Sequence, residues 1–326
     1  LQNKSNKKRV FRFYTYAELT LGNFHADLID RSFENLFNHM WFKNHILYGT
    51  KTRWNHPGEG ARPWDKTAFI TVNLPVDGYE SLRERFLGEY QYLNKPKMVI
   101  DGEVPRQVSS SGDAAGILCF DITLDTGEEA QFDVMLGAVS DDKTAARLRQ
   151  KYISRQAVET ALDEVKQYWD KYNAHVVIKT PDDNFNIATN VWNRYQCWVT
   201  SQWSEMDSYY IPGSGVYGFR DEAQHIFGLL PHDAESVHTK LQDLLIHQFK
   251  NGMTVHNWDT YTKKGVVTGH SDDAQWLVMA ILNYIKETGD LDYLDEKAPY
   301  YDSGSGSVME HLLAGLDYTI NHLSKR

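Results

Sequence analysis

The 326-residue sequence has only two cysteines, Cys119 and Cys197, and fewer cations than anions, 34 Lys+Arg against 44 Asp+Glu. Two thiols that far apart give no disulfide framework and suit a reducing compartment. A formal net charge of −10 without a long Lys/Arg block argues against a nucleic-acid partner and an anionic membrane surface. No run of about 18 apolar residues occurs, so no segment reads as a membrane span. The opening Leu1–Arg9 stretch is basic and lacks the apolar core of a secretory signal. These absences point to a cytoplasmic protein. The chain starts at Leu1 rather than Met and stops at Arg326 after an amphipathic pattern, so it reads as an excerpt of something longer.

Several chemistries are missing too. His225, His232, His238 and His247 do not reproduce a zinc-site spacing and no HExxH occurs, so no metal is expected. There is no Gly-x-Ser-x-Gly elbow for a serine nucleophile. Pro212–Gly215 and Asp302–Gly306 are Gly/Ser loops without the Lys-Ser/Thr of a phosphate cradle.

What is abundant is aromatic: 9 Trp, 19 Tyr and 14 Phe make up 13% of the chain. Such rings fill cores, and they also line pockets where the flat C–H faces of sugars stack. A carbohydrate ligand therefore stands beside the plain reading of a large aromatic core.

The length suits two domains. In the first half, Phe11–Glu18, Thr67–Asn73, Gly116–Leu124 and Ala130–Leu136 read as strands, the last two as a hairpin about Asp125-Thr-Gly127. Tyr79–Tyr90 reads as a helical insertion. At about residue 141 the period changes. Asp141–Tyr152 is helical, and Ser154 caps a second helix whose Val158, Leu162, Val165 and Trp169 share a stripe. Further helices are expected over 185–203, 233–249, 272–288 and 307–323, separated by long Gly-containing loops. The predicted architecture is an antiparallel β-sandwich over 1–140, a helical linker over 141–180 and an all-α domain over 181–326.

The densest chemistry lies between Trp203 and His225, where aromatics, glycines, a cation and carboxylates share one loop and helix start. Arg220 and Asp221 are adjacent there. A guanidinium fork donates and a carboxylate accepts, which together grip vicinal hydroxyls; the same pair also serves as a loop staple. A second constellation is His256-Asn-Trp258 with Gly269-His-Ser-Asp-Asp-Ala-Gln-Trp276. Ser271 and one of Asp272/Asp273 suit a helix cap, while the remaining carboxylate and Trp258 are expected to face the same cavity as Arg220. Asp221 with Asp272 or Asp273 is also a formal acid pair for glycoside hydrolysis.

These phrases resemble glycoside hydrolase family 94, the cellobiose and cellodextrin phosphorylase group. Tyr217-Gly-Phe-Arg-Asp-Glu-Ala-Gln224 is similar to that family's Gly-Phe/Tyr-Arg-Asp-x-x-Gln-Asp phrase. Trp192–Gln196, Trp203-Ser204, Gln248–Gly252 with His256, Ser271–Leu277 and Tyr284–Asp290 follow in the family's order. Arg85–Tyr90, Asn94–Pro96, Leu124–Gly127 and Leu136-Gly137 resemble its sandwich domain. The resemblance implies a β-sandwich, a helical linker and the first part of an (α/α)6 barrel with its site at the mouth. It implies reversible phosphorolysis of a β-linked glucoside to α-glucose 1-phosphate with inversion, with no cofactor beyond inorganic phosphate as co-substrate, in a homodimer. Phosphate is already a nucleophile, so one protein acid suffices to protonate the leaving oxygen.

On this resemblance Arg220 and Asp221 hold the glucosyl hydroxyls, Gln224, Trp203 and Trp258 wall the sugar, and His256, Asp272 and Asp273 support the site. Two positions depart from the pattern: His225 stands where the family phrase ends in Asp, and Glu205 where an Arg follows Trp-Ser. The family's general acid sits in an Asp-Trp-Asn-Asp phrase absent from this sequence, so no catalytic acid is assigned and the isolated chain is expected to be inactive. Two alternatives remain: a non-catalytic sugar-binding module, and an (α/α)6 glycosidase using Asp221 as acid.

Overall fold

The computed structural model describes residues 1–22, 24–56, 60–203, 216–260 and 262–322. The chain divides into two units, Leu1–Glu164 and Val165–Arg326. In the first, the strands are β1 (Arg9–Tyr14), β2 (Asn38–Lys43), β3 (Ile46–Lys51), β4 (Trp54–His56), β5 (Gly60–Arg62), β6 (Thr67–Val72), β7 (Gly78–Leu82), β8 (Ala114–Leu124) and β9 (Val134–Val139). Its helices are α1 (Phe24–Glu34), α2 (Arg83–Leu87), α3 (Lys97–Asp101), α4 (Asp142–Lys151) and the start of α5 (Arg155–Ala174).

Period-two alternation builds this unit. Leu118, Phe120, Ile122 and Leu124 on one face of β8 share a core with Leu47 of β3 and Ala68, Ile70 and Val72 of β6. Ala115 and Ile117 on its other face lie under Phe86, Leu87 and Met98 of α2 and α3. Two antiparallel sheets, β1-β8-β7 and β2-β3-β6-β9, thus face each other as a sandwich. Phe69, on the opposite face of β6, packs with Ile46, Tyr48 and Ala145 of α4. At the edge of the core, Lys51 Nζ donates to Glu34 Oε2 at 2.6 Å, a fully enclosed ion pair.

Three expectations change here. Gly116–Leu124 and Ala130–Leu136 are not a hairpin: β8 pairs with β1 and β7, and β9 pairs with β6 in the other sheet. The turn at Gly127 (φ +78°) connects the two sheets instead. Only Arg83–Leu87 of the supposed helical insertion is helical, because Gly78–Leu82 is drawn into β7. The stretch 141–180 divides between the two units, the first ending at Glu164. Helix α4, capped by Asp141, bonds to β6 through Arg149, whose Nε donates to Thr71 Oγ1 at 3.0 Å. The C-terminal half of α5 belongs to the second unit, where Trp169 meets Tyr195 and Trp198 edge-on.

The second unit continues with α6 (Asp183–Ile187), a π-helical turn (Ala188–Trp192), α7 (Asn193–Trp203), α8 (Phe219–Leu229), α9 (Ala234–Leu245), α10 (Asp273–Thr288) and α11 (Val308–Asn321). Short strands β10 (Val216–Gly218), β11 (Asn257–Asp259) and β12 (Gly265–Val266) form one small sheet, and β13 (Lys297–Pro299) and β14 (Ser305–Ser307) another. The helical stripes are those the 3.6-residue period demands. Phe219, Ala223, Ile226 and Leu229 of α8 meet Val237, Leu241 and Leu244 of α9 and Leu277, Ala280 and Ile281 of α10. Asp233 accepts the Ser236 amide at 3.0 Å, and Ser307 with Glu310 forms a capping box, so α9 and α11 start where their side chains satisfy orphan N–H groups.

Candidate functional site

The site is built on the junction of β10 and α8. Tyr217 pairs with Trp258 and Gly218 with Asn257 across an antiparallel ladder. The Phe219 amide then donates to the His256 carbonyl at 2.8 Å, and α8 begins. Gly218 is needed there for closeness: a Cβ at this position would run into the Asp221 carboxylate, which folds back over it. Asp221 and Glu222 occupy the first turn of α8, where the positive end of the helix dipole favours anions.

Arg220 extends from this first turn. Its Nη1 lies 3.8 Å from Asp272 Oδ2, with both side chains about half exposed (51% and 45%). A pair this long and this wet is worth about 0–1 kcal/mol, so the guanidinium is held loosely enough to be recruited elsewhere. Asp272 is steadied from behind by Trp276, whose Nε1 donates to Oδ2 at 3.1 Å. Asp272 stands at the N-cap position of α10 but makes no side-chain cap, because its carboxylate is committed to Trp276 and Arg220. Neither does exposed Ser271 cap the helix, contrary to expectation. Exposed Gln224 lies one turn after Arg220 and shares its helix face.

The next residue, Asp273, is buried. His256 Nδ1 sits 3.0 Å from Asp273 Oδ2. Burial raises the Asp273 carboxyl above the ordinary carboxylate range, and His256 opposes that rise. His270 stacks on His256 with ring centroids 3.7 Å apart and planes 8° from parallel, and its Nδ1 meets the Thr268 hydroxyl. One donor atom from each of His256, His270 and Asp273 lies within 4.8 Å of the other two. This is the set, among the described residues, that suits a metal ion. Sequence reasoning passed over His270, since its partner His256 is distant along the chain; the signal was the His-Ser-Asp-Asp phrase itself.

Other expected residues fall elsewhere. Trp258 is not available to wall a ligand: it is 1% exposed, stacked on His247 at 4.2 Å and flanked by Tyr217 and Phe219 in the helical core. Its place in β11 sends the ring inward, opposite the direction its neighbours Asn257 and Asp259 take. Trp203 ends α7 and is 46% exposed; among the described residues no hydrogen bond or ring stack joins it to Arg220 or Asp221. Glu205, Ser204 and the loop through Gly215 lie outside the described residues. His225 turns toward Glu222, Nδ1 to Oε1 at 3.2 Å, and Glu222 also accepts from Lys240 at 3.0 Å, which ties α8 to α9. In the sandwich unit a cleft of about 530 Å³ is lined by apolar side chains such as Met135, Leu136 and Leu148. The thiols of Cys119 and Cys197 are free, and burial pushes the Cys119 thiol up to about 11.

Comparison with known families agrees with this layout. The family model of the glycosyl hydrolase 94 supersandwich domain matches residues 1–155, and that of the glycosyl hydrolase 94 superfamily catalytic domain matches residues 168–326. The chain belongs to the glycosyl hydrolase 94 superfamily. Within it, the chain is similar to the N,N'-diacetylchitobiose phosphorylase of Vibrio furnissii, at 26% identity over all of this chain and 43% of that protein. It is 25% identical to the solabiose phosphorylase of Paenibacillus borealis, again over all of this chain and 40% of the relative. It also resembles the cyclic β-(1,2)-glucan synthase NdvB of Rhizobium meliloti strain 1021, at 29% identity over 98% of this chain and 12% of that protein. The chain thus spans less than half the length of these curated relatives. Like the family's sandwich-then-helices order, its β and α units follow one another in sequence. No helix among its described residues is long and apolar enough to cross a membrane.

Proposed function

We propose that this glycosyl hydrolase 94 chain is the sugar-gripping part of an inverting phosphorylase that cleaves a β-linked glucosyl disaccharide or oligosaccharide of the cellobiose type with inorganic phosphate. A phosphate oxygen bonds to the anomeric carbon, the glycosidic bond breaks, and the leaving oxygen takes a proton from one protein acid, giving α-glucose 1-phosphate. The observation that carries the reading is exposed Arg220 beside half-buried Asp221 at the start of α8, the guanidinium making, among the described residues, only the long ion contact to Asp272. A planar five-donor fork next to an acceptor-only carboxylate matches two neighbouring sugar hydroxyls.

In this reading Gln224 and Trp203 flank the ring, Asp272 holds Arg220 in position, and His256 and Asp273 brace the loop behind it; Trp258 is scaffold. Phosphorylases of diacetylchitobiose, solabiose and a glucosyl-glucuronide among its relatives support a disaccharide substrate. The helices open an (α/α)6 barrel, the protein acts in the cytoplasm as a homodimer, and phosphate is its only small-molecule requirement besides the saccharide. Because the sequence contains no Asp-Trp-Asn-Asp phrase, the chain by itself binds sugar without turning it over.

Saturation-transfer NMR of the 326-residue chain with cellobiose and with N,N'-diacetylchitobiose tests this. Contact is expected at one terminal pyranose ring and is lost in Arg220→Ala and in Asp221→Asn, with circular dichroism unchanged. Failure of both sugars to bind, or binding indifferent to both substitutions, overturns the assignment. A coupled assay is expected to find no glucose 1-phosphate released from cellobiose and phosphate; turnover would overturn the inactivity of the chain alone.

A further inference from the structure

We propose that His256, His270 and Asp273 form a binding site for a divalent transition-metal cation of the zinc class, beside the Arg220–Asp272 pair. The inference does not rest on the sugar reading. Its donor set is two imidazoles and one carboxylate, which suits zinc, cobalt, nickel or copper, while calcium and magnesium favour all-oxygen shells.

The geometry is close to what such an ion requires. Metal–nitrogen and metal–oxygen bonds of about 2.0–2.2 Å put neighbouring donors of a tetrahedral site about 3.3 Å apart. His256 Nδ1 and Asp273 Oδ2 are already at 3.0 Å, and the third donor lies within 4.8 Å of both. Two of the three ligands sit on fixed backbone. Asp273 is in the first turn of α10, and His256 is pinned on both sides, its amide donating to the Val266 carbonyl and its carbonyl accepting from Phe219, each at 2.8 Å.

The third ligand supplies the adjustment. His270 is exposed and follows Gly269, whose φ of +75° marks a turn. Its Nδ1 meets the Thr268 hydroxyl, the kind of outer partner that orients a metal-binding imidazole and leaves Nε2 for the ion. The face-to-face stack of the two rings must fan open for both nitrogens to point at one cation, and an exposed loop residue can make that move. Asp273 gives a further reason: its side chain is only 5% exposed, and its hydrogen-bond partner among the described residues is His256 alone. A buried carboxylate with one neutral-capable partner is under-compensated, and a cation in contact with it supplies the missing charge.

The test is isothermal titration of the EDTA-stripped 326-residue chain with zinc chloride, joined to the visible spectrum of the cobalt(II)-loaded chain. One equivalent is expected to bind above the weak background of surface histidines, with cobalt bands of low-symmetry nitrogen–oxygen coordination. His270→Ala should weaken binding by about tenfold or more and abolish the bands; His256→Ala and Asp273→Asn should do the same. His238→Ala removes a half-exposed histidine that also faces a carboxylate, Glu296, and should leave both readouts unchanged. His270 is a surface residue, so its variant keeps the fold and decides the matter even where His256→Ala or Asp273→Asn does not fold. Absence of a one-equivalent site in the unmodified chain, or an undiminished one in His270→Ala, overturns the proposal. Sugar binding by Arg220 requires no metal, so either proposal can fail without the other.

Discussion

The two units treat the same residue types in opposite ways. In the sandwich, His39 and His45 are exposed, and an enclosed charge pair joins Lys51 of β3 to Glu34 at the end of α1. In the helical unit, His247 and His311 are buried and their nitrogens reach backbone carbonyls and the Gln248 amide, stitching segments together. The sandwich carries a cleft of about 530 Å³ lined largely by aliphatic side chains, while the helical unit carries guanidinium, carboxylates and imidazoles beside a short ladder. A sheet satisfies its backbone internally and closes on aliphatic side chains. A helical unit with long connections must recruit polar side chains to tie those connections down, and some of these end up facing solvent in groups.

Substitutions can break this contrast. The largest effect is expected from Lys51→Ala, which strands Glu34 and should cost the sandwich about 3–5 kcal/mol in urea unfolding. Joint replacement, Lys51→Met with Glu34→Leu, should recover most of it, since no charge is then left unpaired. A failure of the double variant to recover would mean that the pair organises α1 rather than merely neutralising itself. In the helical unit Gly252→Ala should cost about 3 kcal/mol, because φ is +90° and a Cβ would fall onto the Ala314 carbonyl of α11.

A pH series sharpens the comparison. Burial lowers His232, His247 and His311 below the ordinary value of about 6.5, outweighing the carbonyl acceptors near the latter two. The unfolded chain therefore binds protons first. Stability of the helical unit is full above that value and is lost as pH falls from it through the lower folded values. In the sandwich the carboxyls of Glu18 and Asp121 are held low by Tyr16 and Arg12. Their contribution is present above the ordinary carboxylate range and disappears only as pH falls below it. Limited proteolysis mapped by mass spectrometry at pH 7, 5.5 and 4 should show the helical unit opening first. Cleavage appearing first in the sandwich would reverse the comparison. The smallest effect belongs to Trp203→Ala and Arg220→Ala, both exposed, which should change unfolding free energy by no more than about 0.5 kcal/mol. Under the proposed function their effect is expected in sugar binding instead.

Much of this was legible in the residues. The strand character of β8 and the positions at which helices begin near 141, 233, 272 and 307 are local patterns, and local patterns survive folding. The partner of β9 was not legible. A Gly-containing turn between two alternating runs looks the same whether the chain returns to the strand it left or crosses to the opposite sheet. The adjacency of Arg220 and Asp221 is visible in the sequence, while the 3.8 Å approach of Asp272 to Arg220 is a tertiary contact that no local pattern contains. Trp258 was misassigned because an aromatic in a Gly-rich region fits pocket and core equally; only the pleat of a three-residue strand decides. His270 gains meaning from a ring that approaches across β12, a relation no window of sequence contains.

The three-rung ladder between β10 and β11 has one more consequence. Arg220 and Asp221 follow directly from one of its rails, and His256 stands at the foot of the other, so the guanidinium–carboxylate pair and the imidazole cluster share a single gauge. Sliding one rail by a residue would turn Trp258 outward and carry both groups out of phase together. Insertions within 216–218 or 257–259 should therefore disable the two at a stroke.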